Sequence, residues 1–205
     1  MAQPSLQALY AQCAASCAAT WPQEAEALVF GEGCDQAPPL MLIGEAPGEQ
    51  EARQGRPFVG KAGQNLSAFV QVLGLPREAL YITNVVKFRP KRISPTGRTV
   101  NRPPARQEIA FFTPWLYREI ALVRPRALVT LGNVALHAFM APERMIGDCH
   151  GQWIQIEVPV ADAGEEVYAL FPLYHPASVI YNRALLSVYQ RDLELLSQTL
   201  PGVPK

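Results

Sequence analysis

The chain has 205 residues, 49% of them hydrophobic, with 18 basic and 18 acidic side chains that balance to zero. That is the make-up of an ordinary globular protein, long enough for one domain with a sizeable core. No basic-then-apolar leader opens it, and no apolar run approaches the roughly 20 residues that span a bilayer. A secreted or membrane-bound product is therefore not expected, and a cytoplasmic protein is, whose four cysteines are expected to be free thiols or ligands rather than disulfides.

In chain order, Ser5 to Cys17 predicts a helix with Leu6, Leu9 and Tyr10 along one face. Leu40–Ile43 is a buried strand, followed by the tight turn Gly44-Glu45-Ala46-Pro47-Gly48. Gly63 to Leu73 predicts a helix ended by Gly74 and Pro76. Tyr81–Val86 is β-branched and almost wholly apolar, hence a second buried strand. The stretch 88–104 carries four prolines and predicts a long loop. Arg106 to Val123 is a helix with Trp115 and Leu116 inward, Ala127–Leu131 a strand, and 133–140 a helix opened by Gly132. Trp153–Val158 and Tyr168–Leu173 are two more strands, joined through the acidic link 159–166 as a hairpin or short excursion. Arg183 to Leu200 closes the chain as an amphipathic helix. Strands alternating with helices imply an α/β fold, a mostly parallel sheet covered by helices on both faces. No internal repeat or second domain is visible, so residues 1–205 are expected to form one domain.

The charge balance hides an asymmetry. Residues 1–52 contain no Lys or Arg, whereas 87–106 carry Lys87, Arg89, Lys91, Arg92, Arg98, Arg102 and Arg106 and no acid. Such a block is either a solvated loop or a contact for an anionic partner, nucleic acid first.

Ligand crevices of open α/β sheets lie at the carboxyl ends of strands, which singles out three places. Glu45 follows the first apolar run, with the amides around Ala46 able to face a ligand. Taken alone, that segment is better explained as a surface turn with solvated acids. Asn84 stands among apolar neighbours, where an unsatisfied amide costs roughly 1–3 kcal/mol. Its donor and acceptor suit the edge of a base, and equally a structural tie to a turn. His175 follows the Tyr168–Tyr174 run and is the histidine placed for chemistry. His137 lies in an apolar helix, and Cys149 with His150 cannot close a tetrahedral metal site. The segment Gly55-Arg56-Pro57-Phe58-Val59-Gly60-Lys61-Ala62-Gly63 nearly matches a P-loop, but Ala62 lacks the magnesium-binding hydroxyl and Pro57 lacks an amide. Phe58 instead either offers its ring to a flat ligand or tucks into the core, and Lys61 near a helix start could meet a phosphate.

Together, Gly44-Glu45-Ala46-Pro47-Gly48-Glu49, the 55–63 segment, Thr83-Asn84-Val85-Val86-Lys87 and His175-Pro176-Ala177 resemble, in order and spacing, the family 4 uracil-DNA glycosylases, the iron–sulfur branch of that superfamily. The resemblance implies a three-layer α/β/α sandwich and a monofunctional enzyme that releases uracil flipped out of DNA, leaving an abasic site. It implies that Glu45 and the Ala46 backbone lie at the glycosidic bond and place the attacking water, with Glu51 in support. Phe58 would stack on uracil, Asn84 would read its edge, and His175 would bond the oxygen that gains charge. Lys61 and the basic stretch, with Lys87, Arg89, Lys91 and Arg92, would contact phosphate. The segment with Ser178, Val179 and Ile180 would enter the duplex gap. The partner is uracil-containing DNA, no membrane is involved, and a monomer is expected.

The sequence departs from that family at the cluster. Four cysteines are expected there, and only the first pair, Cys13 and Cys17, is in place, at C-x3-C rather than C-x2-C spacing. Phe88 and Phe111 stand at the third and fourth positions, and Phe cannot ligate iron. No iron–sulfur cluster and no other metal is therefore expected, with the two rings packing as an apolar plug. The missing ligands raise one alternative, a non-catalytic nucleic-acid binder on the same scaffold. A nucleotide enzyme built on the near-P-loop is disfavoured by Ala62 and Pro57.

Overall fold

In chain order the elements are α1 (Leu6–Thr20), β1 (Glu32–Gly33), β2 (Met41–Gly44), α2 (Glu49–Gln54), α3 (Lys61–Val72), β3 (Tyr81–Asn84), β4 (Lys91–Ile93), β5 (Thr99–Asn101), α4 (Arg106–Val123), β6 (Ala127–Leu131), α5 (Asn133–Leu136), α6 (Ile146–Cys149), β7 (Ile154–Val160), β8 (Gly164–Leu173), α7 (Pro176–Tyr181) and α8 (Leu186–Thr199). They come from a computed structural model that describes residues 5–160 and 164–200.

The apolar runs become the interior of a six-stranded sheet of order β1-β3-β2-β6-β8-β7. Every residue of β2, β3 and β6 is buried, as expected for parallel strands covered on both faces. β3, β2, β6 and β8 run parallel, and the edge strands β1 and β7 are antiparallel. One core lies between the sheet and α1 and α4, with Cys13, Phe112 and Leu116. The other lies under α3 and α8, with Leu66, Val70, Leu193 and Leu196. This is the expected three-layer arrangement.

Register places the site. Gly44 pairs with Asn84, and Leu131 with Leu173. The chain therefore leaves β2, β3 and β8 at one edge of the sheet, carrying Glu45, Asn84 and His175 there together.

Several boundaries differ from expectation. α1 runs on to Thr20, and Leu9, Cys13 and Cys17 form its buried stripe at fourfold spacing. The strands on either side of the acidic link reach further than expected, β7 and β8 pairing antiparallel out to Val160 and Gly164. The chain end is not one helix: α7 and α8 are separated by a short 3-10 turn, Arg183–Leu185. The 88–104 loop holds the two-stranded antiparallel hairpin β4–β5. Ser94 O accepts from Gly97 N at 2.9 Å, and Gly97 takes φ +77 to turn it. Among the described residues no helix is long and apolar enough to cross a membrane.

Candidate active site

A cleft of about 510 Å³ opens where β2, β3 and β8 end, and Ala46, Phe58, Asn84 and His175 line it together with Glu51 and Lys61. Three of the strand-end expectations thus meet in one cavity.

Phe58 is 7% exposed. It packs into the α3/α8 core and also faces the cleft, its ring 6.1 Å from that of His175 at 30°. Its φ of 53 lies in the left-handed region, which costs a non-glycine residue roughly 1–2 kcal/mol. Bonds on both sides hold it there. Glu51 Oε1 accepts from Val59 N at 3.0 Å and from Gly60 N at 2.7 Å, and Arg77 donates to Pro57 O at 2.8 Å. Gly44 is needed opposite, because a Cβ there would collide with Asn84 Oδ1 and the Phe58 ring.

Asn84 ends β3, buried at 2% exposure. Among the described residues its side-chain amide has no hydrogen-bond partner, so a donor and an acceptor wait in the cleft wall for a ligand.

His175 caps α7: its Nδ1 accepts from Ala177 N at 3.1 Å. An accepting Nδ1 carries no proton, which leaves the proton on Nε2. Burial pushes the pKa of the imidazole down to about 4. His175 is thus a neutral Nε2–H donor across the physiological range.

The carboxylates divide differently from expectation. Glu45 is half-buried beside the cleft, and burial raises its carboxyl above the ordinary range. The side chains that line the cavity include those of Glu49 and Glu51, and not that of Glu45. Asn101 of β5 also lines it, a residue not expected there. Asn101 Oδ1 accepts from Arg89 Nε at 2.7 Å, which leaves the Nδ2 amide to donate elsewhere. A Cβ added to Gly48 would stand 2.7 Å from Glu51 Oε2 and 3.5 Å from Asn101 Nδ2. An acceptor oxygen and an amide donor therefore flank the Gly48 α-carbon.

The basic residues separate into two groups. Lys61 lies at the start of α3 on the cleft wall, and Lys91 and Arg92 are exposed on β4. Lys87, expected to contact phosphate, is only 1% exposed. Its three ammonium protons are used on Thr83 Oγ1 at 2.7 Å, Asn84 O at 2.8 Å and Glu119 Oε2 at 2.6 Å, so none is left for DNA. Arg89 is likewise engaged, by Asn101 and by Glu49 at 3.5 Å. Ser178 is half-buried on α7, and the Ile180 side chain lies outside the described residues.

Aromatic rings pack into the core that holds Cys13 and Cys17. Trp21 lies 5.6 Å from Phe88 and 5.0 Å from Phe111, and Phe88 lies 5.5 Å from Phe112. Cys13 and Cys17 are buried in the same core, and burial pushes their thiols up to about 12 and about 11. Cys34 and Cys149 bond to carbonyls of their own segments, Gln36 O and Met145 O. Two neutral thiols among aromatic rings do not fit a four-cysteine cluster. Among the described residues no group of three or more His, Cys, Asp or Glu is arranged to hold a metal ion.

Comparison with known proteins points the same way as the cleft. Residues 30–196 match the family model of the Uracil DNA glycosylase superfamily. The chain is 36% identical to the type-4 uracil-DNA glycosylase of Saccharolobus solfataricus, over 86% of this chain and 77% of that one. It is 38% identical to the type-4 enzyme of Pyrobaculum aerophilum, over 76% and 75% of the two chains. Against the type-4 enzyme of Thermotoga maritima the figures are 33%, 82% and 80%.

Proposed function

The chain belongs to the type-4 branch of the uracil DNA glycosylase superfamily, and we propose that it excises uracil from DNA by hydrolysing the N-glycosidic bond, leaving an abasic site. The observation that carries this is the convergence of an aromatic face, an unpartnered amide and a neutral imidazole donor on one cleft, from Phe58, Asn84 and His175.

A base inside a duplex is out of reach, so uracil must be extruded at a cost of a few kcal/mol. Stacking on Phe58 returns roughly 1–3 kcal/mol, and the Asn84 amide pairs with the uracil edge. As the N1–C1′ bond breaks, the sugar becomes oxocarbenium-like and the base leaves as an anion. His175 Nε2–H donates to the uracil oxygen on which that charge builds. A neutral donor suits this task, since it binds the anion without a prior protonation step. A water held between Glu51 Oε2 and Asn101 Nδ2 adds its oxygen to C1′, and its proton passes to the carboxylate. The Ala46 backbone faces the sugar, and the Glu45 carboxylate beside the cleft favours the cation at longer range.

Lys61, Lys91 and Arg92 meet DNA phosphates, and α7 with Ser178 and Ile180 approaches the gap that the flipped base leaves. The enzyme works without an iron–sulfur cluster. The packed rings of Trp21, Phe88 and Phe112 support this, because they supply by burial the order that ligation would give. A monomer acts on the DNA, and the four free thiols suit the cytoplasm.

The test is excision from a labelled oligonucleotide carrying one uracil, single-stranded and opposite guanine. Wild type should give alkali-sensitive cleavage and Asn84→Ala should not. Retained DNA binding without cleavage in either strand form would move the protein to the non-catalytic alternative.

A further inference from the structure

Directly behind Asn84 lies a polar cluster that the excision chemistry does not touch. Lys87 and Glu119, 1% and 0% exposed, form an ion pair at 2.6 Å inside the core. Around them stand Thr83, Tyr81 and Tyr10. Thr83 Oγ1 accepts from Lys87 and reaches Glu119 Oε1 at 3.2 Å. The phenols of Tyr81 and Tyr10 reach the same oxygen at 2.9 and 2.7 Å and bond each other.

A buried ion pair is weak support for stability, because an apolar pair of similar volume often serves as well or better. What this pair does that an apolar pair could not is hold a backbone carbonyl. Lys87 Nζ donates to Asn84 O at 2.8 Å and to Thr83 Oγ1, so the side chain staples the turn 83–87 back onto its own strand end. Val85 N and Val86 N are already committed to Gly44 O and Glu45 O across the sheet. The Asn84 peptide is therefore fixed from both sides, by the neighbouring strand and by the ammonium. Glu119, anchored on the 18-residue helix α4, fixes the ammonium in turn.

We propose that the Lys87–Glu119 pair is a positioning device that sets the aim of the Asn84 amide into the cleft and so governs recognition of the uracil edge. This rests on Asn84 reading uracil, as proposed above. Both residues act only through Asn84 and touch neither base nor sugar.

Removing Lys87 alone would strand the Glu119 carboxylate, so the informative variant is Lys87→Met/Glu119→Leu, which removes both charges. It should unfold cooperatively and bind duplex DNA carrying a tetrahydrofuran abasic analogue within about twofold of wild type. Inhibition by free uracil should weaken about tenfold, and single-turnover excision should slow at least about tenfold, the equivalent of one lost hydrogen bond. In the Asn84→Ala background, which does not excise, the same double change should leave uracil binding by calorimetry unchanged, because both act on one contact. Uracil inhibition and rate equal to wild type, or a further loss of uracil binding in the Asn84→Ala background, would overturn the proposal. A double variant that no longer unfolds cooperatively would assign the pair to stability and overturn it as well. Failure of the glycosylase assignment itself looks different: wild type and Asn84→Ala would then be alike in lacking excision.

Discussion

Ala177 donates its backbone N–H to His175 Nδ1 at 3.1 Å, and the bond settles what His175 can do. It dictates the Nε2–H tautomer, and burial keeps the ring neutral down to about pH 4. Excision should therefore show no loss traceable to His175 as the pH falls from 8 towards the ordinary histidine value of 6.5, and should fail near 4. His175→Ala should slow single-turnover excision about 10²–10³-fold, and His175→Gln, which keeps a donor, should recover part of it. Stability has a worked sign. The folded-state pKa is depressed, so protonation favours the unfolded chain. Wild type should lose thermal stability relative to His175→Gln as pH falls from 6.5 through about 4, and show no such difference above 6.5. A wild-type rate that instead declines as the pH rises, with a midpoint near 6.5, would show that a charged imidazole is the working form.

Two carboxylates, Glu45 in the turn after β2 and Glu51 on α2, should change stability in opposite ways. Glu51 Oε1 holds the Phe58 loop through Val59 N and Gly60 N, and a Gln carbonyl can keep both bonds. Glu51→Gln should therefore leave the melting temperature nearly unchanged while slowing excision about 10²-fold, since the acceptor for the water is lost. Glu51→Ala should in addition free the loop and weaken inhibition by uracil. The Glu45 carboxylate has no hydrogen-bond partner among the described residues, and burial raises its carboxyl above the ordinary 4.5. A raised folded-state pKa means the ionised form destabilises the protein at pH above that value, a penalty that vanishes below 4.5. Glu45→Gln should thus raise the melting temperature at pH 7, show no gain at pH 4, and lower excision. A melting temperature that falls at pH 7 would mean that Glu45 has a stabilising partner.

The ring cluster makes its own prediction. Phe88 is 1% exposed and packs edge-on to Trp21 and Phe112. Phe88→Ala should cost about 3–5 kcal/mol of stability, measured by denaturant unfolding, because a cavity opens between the rings of Trp21 and Phe112. Purified wild type should be colourless, with no visible charge-transfer absorbance, and chelators should not change its melting temperature. A brown protein, or one that chelators unfold, would mean that Cys13 and Cys17 recruit iron with ligands from elsewhere.

The sheet and three of its functional strand ends were legible because apolar runs bounded by turn residues have one physical explanation, strands buried on both faces. Once those runs are strands, Ala46, Asn84 and His175 must emerge near one another if the connections are right-handed crossovers. Lys87 was not legible as a buried cation, because a count of charges along the chain says nothing of a side chain that folds back onto residues 83 and 84. Its counter-ion, Glu119, lies 32 residues away on α4. Asn101 was missed for a different reason. The β4–β5 hairpin is exposed on nearly all its residues, so it carries no alternation of apolar and polar positions. Its one signal was Ser94-Pro95-Thr96-Gly97, which has the favoured residues of a type I turn at its first, second and fourth positions. Read that way, Asn101 falls opposite Lys91 and comes back to the sheet edge.

That hairpin also supplies the test of DNA contact. Lys91, Arg92 and Arg98 are exposed on it, whereas Lys87, Arg89 and Arg102 are held by Glu119, Asn101 and Glu108. Only the first three are free to displace counterions from a duplex. Each phosphate contact contributes roughly 0.7–0.9 to the slope of log affinity against log salt. Replacing Arg92 and Arg98 by Gln should flatten that slope by about 1.4–1.8 if both meet phosphate, measured by fluorescence anisotropy between 50 and 200 mM salt. Phosphate contacts carry no base information, so the loss of affinity should be equal on uracil-containing and undamaged DNA. An unchanged slope would remove the hairpin from the interface and leave Lys61 and the α7 segment to bind the strand. A loss confined to uracil-containing DNA would instead mean that the hairpin acts through Asn101 on the cleft, and that its charge is incidental.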